Sequence, residues 1–402
     1  MFKSLNFKVI LFGFIFTFFS SFGQSFFLGL FNSSIRDELF ITHGQFGSIY
    51  ASATLLSSLI LVWVGKKIDD FKILKFSLYV IVLLAISCFL FSKISSVVFL
   101  FFSIFLMRFS GQGLMSHTAT TTIARFFEQS RGRALSTTWL GLSFAELILP
   151  LLIVYLLTII EWRNIWFSIS ILIILVLPLI SFFLVKNINL DSREISTNEE
   201  KKTKDIKHWK RIEVLKDYRF YIVGLNMVAM PSIATGTFVY QSFISSSKDW
   251  GPYVIAQSFI VYSILSVLTL FFSGFLIDKF SSRKLLIYMN IPLLFSSFVL
   301  FYFNSPISSF IFLGLIGVSN GFANVLGSST WAEIYGVKYI GSIKALTTAL
   351  MVFSTAFGTA LFGFLIDNDF SIEQIALVSG SYILIGIILL FFIRNKLNPN
   401  YL

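Results

Sequence analysis

Two ionisable side chains, Arg108 and Glu146, stand inside long apolar stretches of this 402-residue chain. Charges at such places are costly and are retained where they act. A guanidinium offers a planar fork of donors that matches a carboxylate in two parallel hydrogen bonds, and a nearby carboxylate can take up or release a proton. Arg108, Gln112, Ser116 and Thr120 recur every four residues, which places them on one helix face. That face should line water or a bound solute. Arg108 and Glu146 are expected to form an ion pair, which either changes partners when an anion arrives or only locks two helices together. Softer polar positions are Gln24, Tyr50, Asn226, Tyr240, Gln241, Tyr262, Asn320 and Asn324. Each alone reads first as an interhelical hydrogen bond. His117 lies off the stripe and reads as a packed neutral imidazole.

The elements that must position these groups follow from composition. Of the residues 56% are hydrophobic and 13% charged, half the charged share of a soluble domain, which is about a quarter. Stretches of bilayer-spanning length, roughly 20 residues, recur twelve times. They run over 7–30, 45–64, 74–92, 97–123, 134–159, 164–185, 220–246, 253–276, 285–303, 307–330, 343–366 and 372–393. The expected fold is an all-α membrane protein. The long polar break at 186–219 holds ten Lys/Arg and seven Asp/Glu. It divides the chain into a six-helix bundle at 1–185, a cytoplasmic linker at 186–219 and a second six-helix bundle at 220–402.

At a rise of about 1.5 Å per residue, Arg108 and Glu146 sit at depths within roughly one helical turn of each other in a ~30 Å core. Spans four and five share a short loop and are expected to be neighbours, which motivates the ion pair. The apolar run at the N-terminus continues through Phe26, Phe27 and Leu30, so it reads as a span and not as a cleaved signal peptide. With both termini cytoplasmic, the inside segments collect 26 Lys/Arg, against Arg36, Lys93, Arg163 and Lys248 outside. This is the positive-inside pattern. It accounts for the net charge of +11 without nucleic acid. Cys88 is the one cysteine, so a disulfide or thiolate metal site cannot be assembled, and no cofactor or metal is expected.

Sliding the chain on itself by 209 residues brings Ser57 onto Ser266, Gly65 onto Gly274, Asp69 onto Asp278, Ser110 onto Ser319 and Gly132 onto Gly341. A duplicated six-span unit explains one constant offset across spans two to five. Gly65-Lys66-Lys67-Ile68-Asp69 and the second copy, Gly274 to Asp278 followed by Lys279, Arg283 and Lys284, resemble the loop signature of the major facilitator superfamily. A glycine there lets helices approach closely. The carboxylate can pair with basic groups or a helix N-terminus, in contacts made in one conformation and broken in another. Ordinary solvated loop charges are the alternative for Asp69 and Asp278.

Arg108-Phe109-Ser110-Gly111-Gln112-Gly113, with Arg125-Phe126-Phe127 and Arg131-Gly132-Arg133-Ala134, is similar to bacterial branches near the monocarboxylate and oxalate/formate porters. The resemblance implies the twelve-helix fold, a cavity surrounded by spans one, four, seven and ten, and a secondary transporter working by alternating access. Its expected cargo is a small organic anion such as a monocarboxylate, carried with a proton or another coupling ion. The expected solute contacts are Arg108, Gln112, Gln24, Tyr240, Gln241, Asn320 and Asn324. Glu146 is the expected proton-coupling group, and Gly65, Asp69, Gly274, Asp278, Lys279 and Arg283 are the expected conformational gate. Metalloprotease, serine-hydrolase and phosphate-loop motifs are missing from the sequence, which argues against an enzyme or a primary pump. The alternative is a facilitator or antiporter of a neutral or zwitterionic solute with the charge pair purely structural. The expected setting is a monomer in the bacterial inner membrane.

Overall fold

A backbone in hydrocarbon finds no water for its N–H and C=O groups, so each crossing must close its own hydrogen bonds as a helix. The computed structural model describes residues 2–127, 131–186, 209–336 and 339–398, and among these there is helix but no strand. Among the described residues twelve helices are long and apolar enough to cross a membrane: Asn6–Gly23, His43–Asp69, Ile73–Phe91, Val97–Phe126, Arg133–Leu157, Trp162–Val185, Tyr218–Val239, Pro252–Ile277, Ser282–Tyr302, Pro306–Tyr335, Ile343–Asp367 and Ile372–Leu397. These are spans one to twelve below. The all-α, twelve-span expectation holds, with ends moved by a few residues.

Two compact units form, one of residues 1–195 with 238–242 and one of residues 196–237 with 243–402. In the first, span one packs against both span four and span five, span three against span six, and span two against span four. In the second, spans eight and ten run together along most of their length, and span nine packs on spans ten and twelve. Residues 209–219, within the stretch read as linker, pack onto this unit. Arg219 Nε meets Asp217 Oδ2 at 2.8 Å in a buried pair, Arg219 Nη1 donates to Lys396 O at 2.9 Å, and Tyr335 Oη donates to Asp217 Oδ2 at 3.1 Å.

Each unit carries a polar clasp at the end away from the chain termini. In the first, Glu38 after span one accepts from Trp162 Nε1 at 3.0 Å and pairs with Arg163 at the start of span six. Arg163 also donates to Ser92 O at 2.9 Å, beyond span three. In the second, Lys248 before span eight pairs with Glu373 at the start of span twelve at 2.7 Å and donates to Asn304 Oδ1, beyond span nine, at 2.7 Å. Lys248 and Glu373 each stand one residue from the positions that the 209-residue offset assigns to Glu38 and Arg163. The clasp is duplicated and its charges are exchanged.

Three spans are interrupted. Pro292 follows a break at Asn290 that divides span nine into Ser282–Met289 and Ile291–Tyr302. Pro150, Pro178 and Pro231 lie inside continuous helices. The other two interruptions lack proline. Span one ends in a 3-10 turn at Ser21–Gly23 and an extended Gln24 (φ −86°, ψ 154°), and span four is π-helical over Arg108–Met115. Such π segments are frequent at functional sites.

Candidate functional site

The break in span one and the π segment of span four meet. A Cβ on Gly23 would fall 2.3 Å from Met107 O and 2.5 Å from Gln112 N, so the two backbones touch where only glycine fits. The break leaves Gly23 O without a helical partner. Arg108 Nη1 donates to it at 2.9 Å, and Arg108 Nε donates to Thr54 Oγ1 of span two at 3.2 Å. The guanidinium also lies over the ring of Tyr50, 5.2 Å from its centroid. Arg108 is 2% exposed and has no carboxylate partner among the described residues.

The expected ion pair is therefore not formed. Glu146 is 8% exposed and has no ion pair among the described residues. Spans four and five do pack together as expected, through Ser116–Phe126, but beside the π segment that carries Arg108 stands span one, which packs against both span four and span five. In this structure the two charges therefore do not lock their helices to each other.

The other expected contacts divide. Gln24 sits in the break of span one, half-buried, and Gln112 is half-buried in the π segment. On the same face Ser116 Oγ is buried without a partner, and Thr120 Oγ1 donates to Ser116 O at 2.8 Å. Tyr240 and Gln241 spend their donors on backbone within the first unit. Tyr240 Oη donates to His43 O at 2.9 Å, and Gln241 Nε2 donates to Phe26 O at 2.8 Å. In the second unit Asn320 Nδ2 donates to Ser266 Oγ at 2.8 Å, while Asn324 is exposed. Sequence reasoning missed Thr54 and Gly23 as holders of Arg108. Thr54, four residues after Tyr50 and thus on its face of span two, was the available signal.

At the end bearing the termini, Asp69 pairs with Arg125 of span four. Gly65 O accepts from His117 Nε2 at 2.9 Å, so His117 supports the loop from behind. The second copy is built differently. A Cβ on Gly274 would meet nothing within 4 Å, so the close approach expected there is not used. The Asp278 side chain lies outside the described residues. Lys279 is exposed and lies over the ring of its neighbour Phe280. Glu333 of span ten, unflagged by the sequence, takes the central place. Its carboxylate accepts from Ser282 N at 2.9 Å and Arg283 N at 3.2 Å and pairs with Arg283 Nε at 3.3 Å. A carboxylate on the first N–H groups of a helix is favoured by the helix dipole.

A bacterial homologue of the human lysosomal transporter Spinster, solved in an inward-facing, occupied conformation, superposes with a TM-score of 0.71 at 12% identity, covering 98% of this chain and 97% of that one. The nucleoside transporter NupG gives 0.70 at 14% identity, with 98% of each chain covered. Identities this low speak for the fold alone. No curated protein matches the sequence. The sequence does match the profile described as Major Facilitator Superfamily over residues 13–256 and 219–401, which together take in nearly the whole chain. The protein is a multi-pass membrane transporter, not an enzyme, and it belongs to the Major Facilitator Superfamily.

Proposed function

We propose that the protein is a secondary transporter that works by alternating access, carries a small organic anion such as a monocarboxylate, and couples it to a proton. One observation carries this reading: Arg108, buried inside a span, is held by Thr54, Gly23 and the Tyr50 ring but lacks a counter-ion. An uncompensated charge in a low-dielectric interior is expensive, and neutral partners orient it without neutralising it. The missing charge is supplied by the solute. The likeness of the Arg108 to Gly113 segment to the monocarboxylate and oxalate/formate branches supports the same cargo class.

Glu146 is the proton-coupling group in this reading, acting without contact to Arg108. An added carboxylate in the same bundle is accommodated at lower cost when Glu146 carries its proton, so solute and proton travel together. The loops at Gly65–Asp69 and at Gly274, Asp278, Lys279 and Arg283, joined by Glu333, bias the conformations without touching solute. The basic-residue bias supports cytoplasmic termini in a bacterial inner membrane.

The test is thermal unfolding of the purified protein with acetate, lactate, benzoate and oxalate, each beside its amide, because a ligand of the folded state raises apparent stability. Carboxylates should stabilise and amides should not, and Arg108→Lys should lose the response because an ammonium does not reproduce the fork. Stabilisation by uncharged or cationic solutes that persists in Arg108→Lys would overturn the assignment.

A further inference from the structure

We propose that Tyr50 contacts the solute directly, its hydroxyl donating to one oxygen of the anionic head group while Arg108 Nη2 donates to the other. The proposal rests on the reading of Arg108 as the anion site and sharpens the cargo to a planar, two-oxygen anion.

Tyr50 is 1% exposed, and its buried hydroxyl donates to no acceptor. Buried polar groups are ordinarily satisfied, and one left open asks for an explanation. The neighbourhood supplies it. Arg108 has committed Nε to Thr54 and Nη1 to Gly23, and its guanidinium lies on the Tyr50 ring. Nη2 remains at this one place, and so does the O–H of the phenol, whose oxygen stands within hydrogen-bonding reach of the guanidinium and can accept from it while its own proton is unspent. Both belong to side chains already fixed by packing, so little ordering remains to be done when a ligand arrives. A carboxylate accepts from both. An amide presents its own N–H₂ to one of them and is rejected.

The duplicated half provides the comparison. The 209-residue offset places Phe259 at Tyr50 and Gly317 at Arg108. Phe259 is fully buried, so a ring without a hydroxyl fills the equivalent place. A Cβ on Gly317 would stand 2.3 Å from Tyr262 O, so no side chain fits there. Hydroxyl and guanidinium occur together in one half and are missing together from the other. This is the pattern of a pair serving one ligand, and the second half shows that packing alone does not need the hydroxyl.

The experiment compares the parent, Tyr50→Phe and Arg108→Lys in the full chain, measuring thermal unfolding and binding of acetate, lactate, benzoate and oxalate with their amides. Without ligand, Tyr50→Phe should melt close to the parent temperature, since the buried hydroxyl that is lost donates to nothing in the protein. Its affinity for carboxylates should fall roughly ten- to a hundredfold, the worth of a hydrogen bond to a charged group, and its preference over amides should narrow. A lower melting temperature with unchanged affinity would make the hydroxyl structural and overturn the proposal. Unchanged affinity in Tyr50→Phe alongside loss in Arg108→Lys would remove Tyr50 and leave the Arg108 reading standing. Carboxylate binding absent from the parent, or retained in both variants, would remove the anion site and this proposal with it.

Discussion

Gly23 and Gly111 touch backbone to backbone: a Cβ on Gly23 would lie 2.9 Å from Gly111 Cα, and one on Gly111 would lie 2.8 Å from Gly23 Cα. The contact fixes the break of span one against the π segment of span four and so sets the distance from Gly23 O to Arg108. Gly23→Ala should cost about 1–3 kcal/mol of stability by overpacking. It should reduce carboxylate affinity more than a stability loss alone would explain. Binding isotherms at temperatures well below unfolding would separate the two effects, and unchanged affinity would show that Arg108 does not depend on this crossing.

Thr54→Val keeps shape and removes the acceptor of Arg108 Nε. Leaving a buried donor unpaired costs about 1–3 kcal/mol, and part of that should reach the solute as a several-fold weaker affinity. Thr54→Ser, which keeps the hydroxyl, should restore it. Equal behaviour of Val and Ser would mean that the methyl, not the hydroxyl, is what matters.

Asp69 and Glu333 join loops to span ends without facing the candidate site. Asp69→Asn, which weakens the pair with Arg125, and Glu333→Gln, which removes charge from the start of the Ser282–Met289 helix, should slow vesicle uptake several-fold. Ligand affinity should stay within a few-fold, because such contacts change populations of states and not solute contacts. Normal uptake rates at normal expression would remove these loops from the gate.

Glu146 gives the pH prediction. If binding the anion takes up a proton, linkage requires affinity to weaken as pH rises, by at most about tenfold per pH unit for one proton. Glu146→Gln, which resembles the protonated acid, should bind at least as well as the parent, with a flat pH dependence and no accompanying proton flux. A variant that still moves protons with solute places the coupling elsewhere.

Lys248 is buried and depends on Glu373 and Asn304. Glu373→Gln should destabilise by about 1–3 kcal/mol, since a buried cation is left with neutral partners only. Lys248→Met combined with Glu373→Gln should recover most of the lost melting temperature. A double variant no better than the single one would show that the charge itself is not the burden.

The helical framework was legible because lipid imposes a simple rule on composition: a crossing must be apolar for about 20 residues. The repeat was legible from one offset, and the Asp69 loop from its residues. Lateral order was not. Spans four and five are consecutive, yet span one takes the place beside Arg108, and no hydropathy pattern encodes which helix stands between which. The π segment was equally silent, since Arg108 to Met115 reads as ordinary helix. Tyr240 and Gln241 stood as solute contacts or interhelical hydrogen bonds, and a sequence does not show which backbone carbonyls, here His43 O and Phe26 O, stand opposite them. Glu333 escaped notice because its partners, the N–H groups of Ser282 and Arg283, are created by the start of a helix and not by a motif.

The exchanged charges of the two clasps act as a lock with two different keys. Duplicated halves have helices of similar length and hydropathy, which nothing apolar tells apart during insertion. Span six seated in the place of span twelve would bring Arg163 against Lys248, and span twelve in the place of span six would bring Glu373 against Glu38. Each wrong seating sets like charges together, and each right one closes an ion pair. Reversing one clasp, Glu38→Lys with Arg163→Glu, keeps its pair but makes the two keys alike. The melting temperature should fall somewhat, because Trp162 Nε1 and Ser92 O lose their partners, and the yield of correctly assembled protein should fall by more than that loss explains.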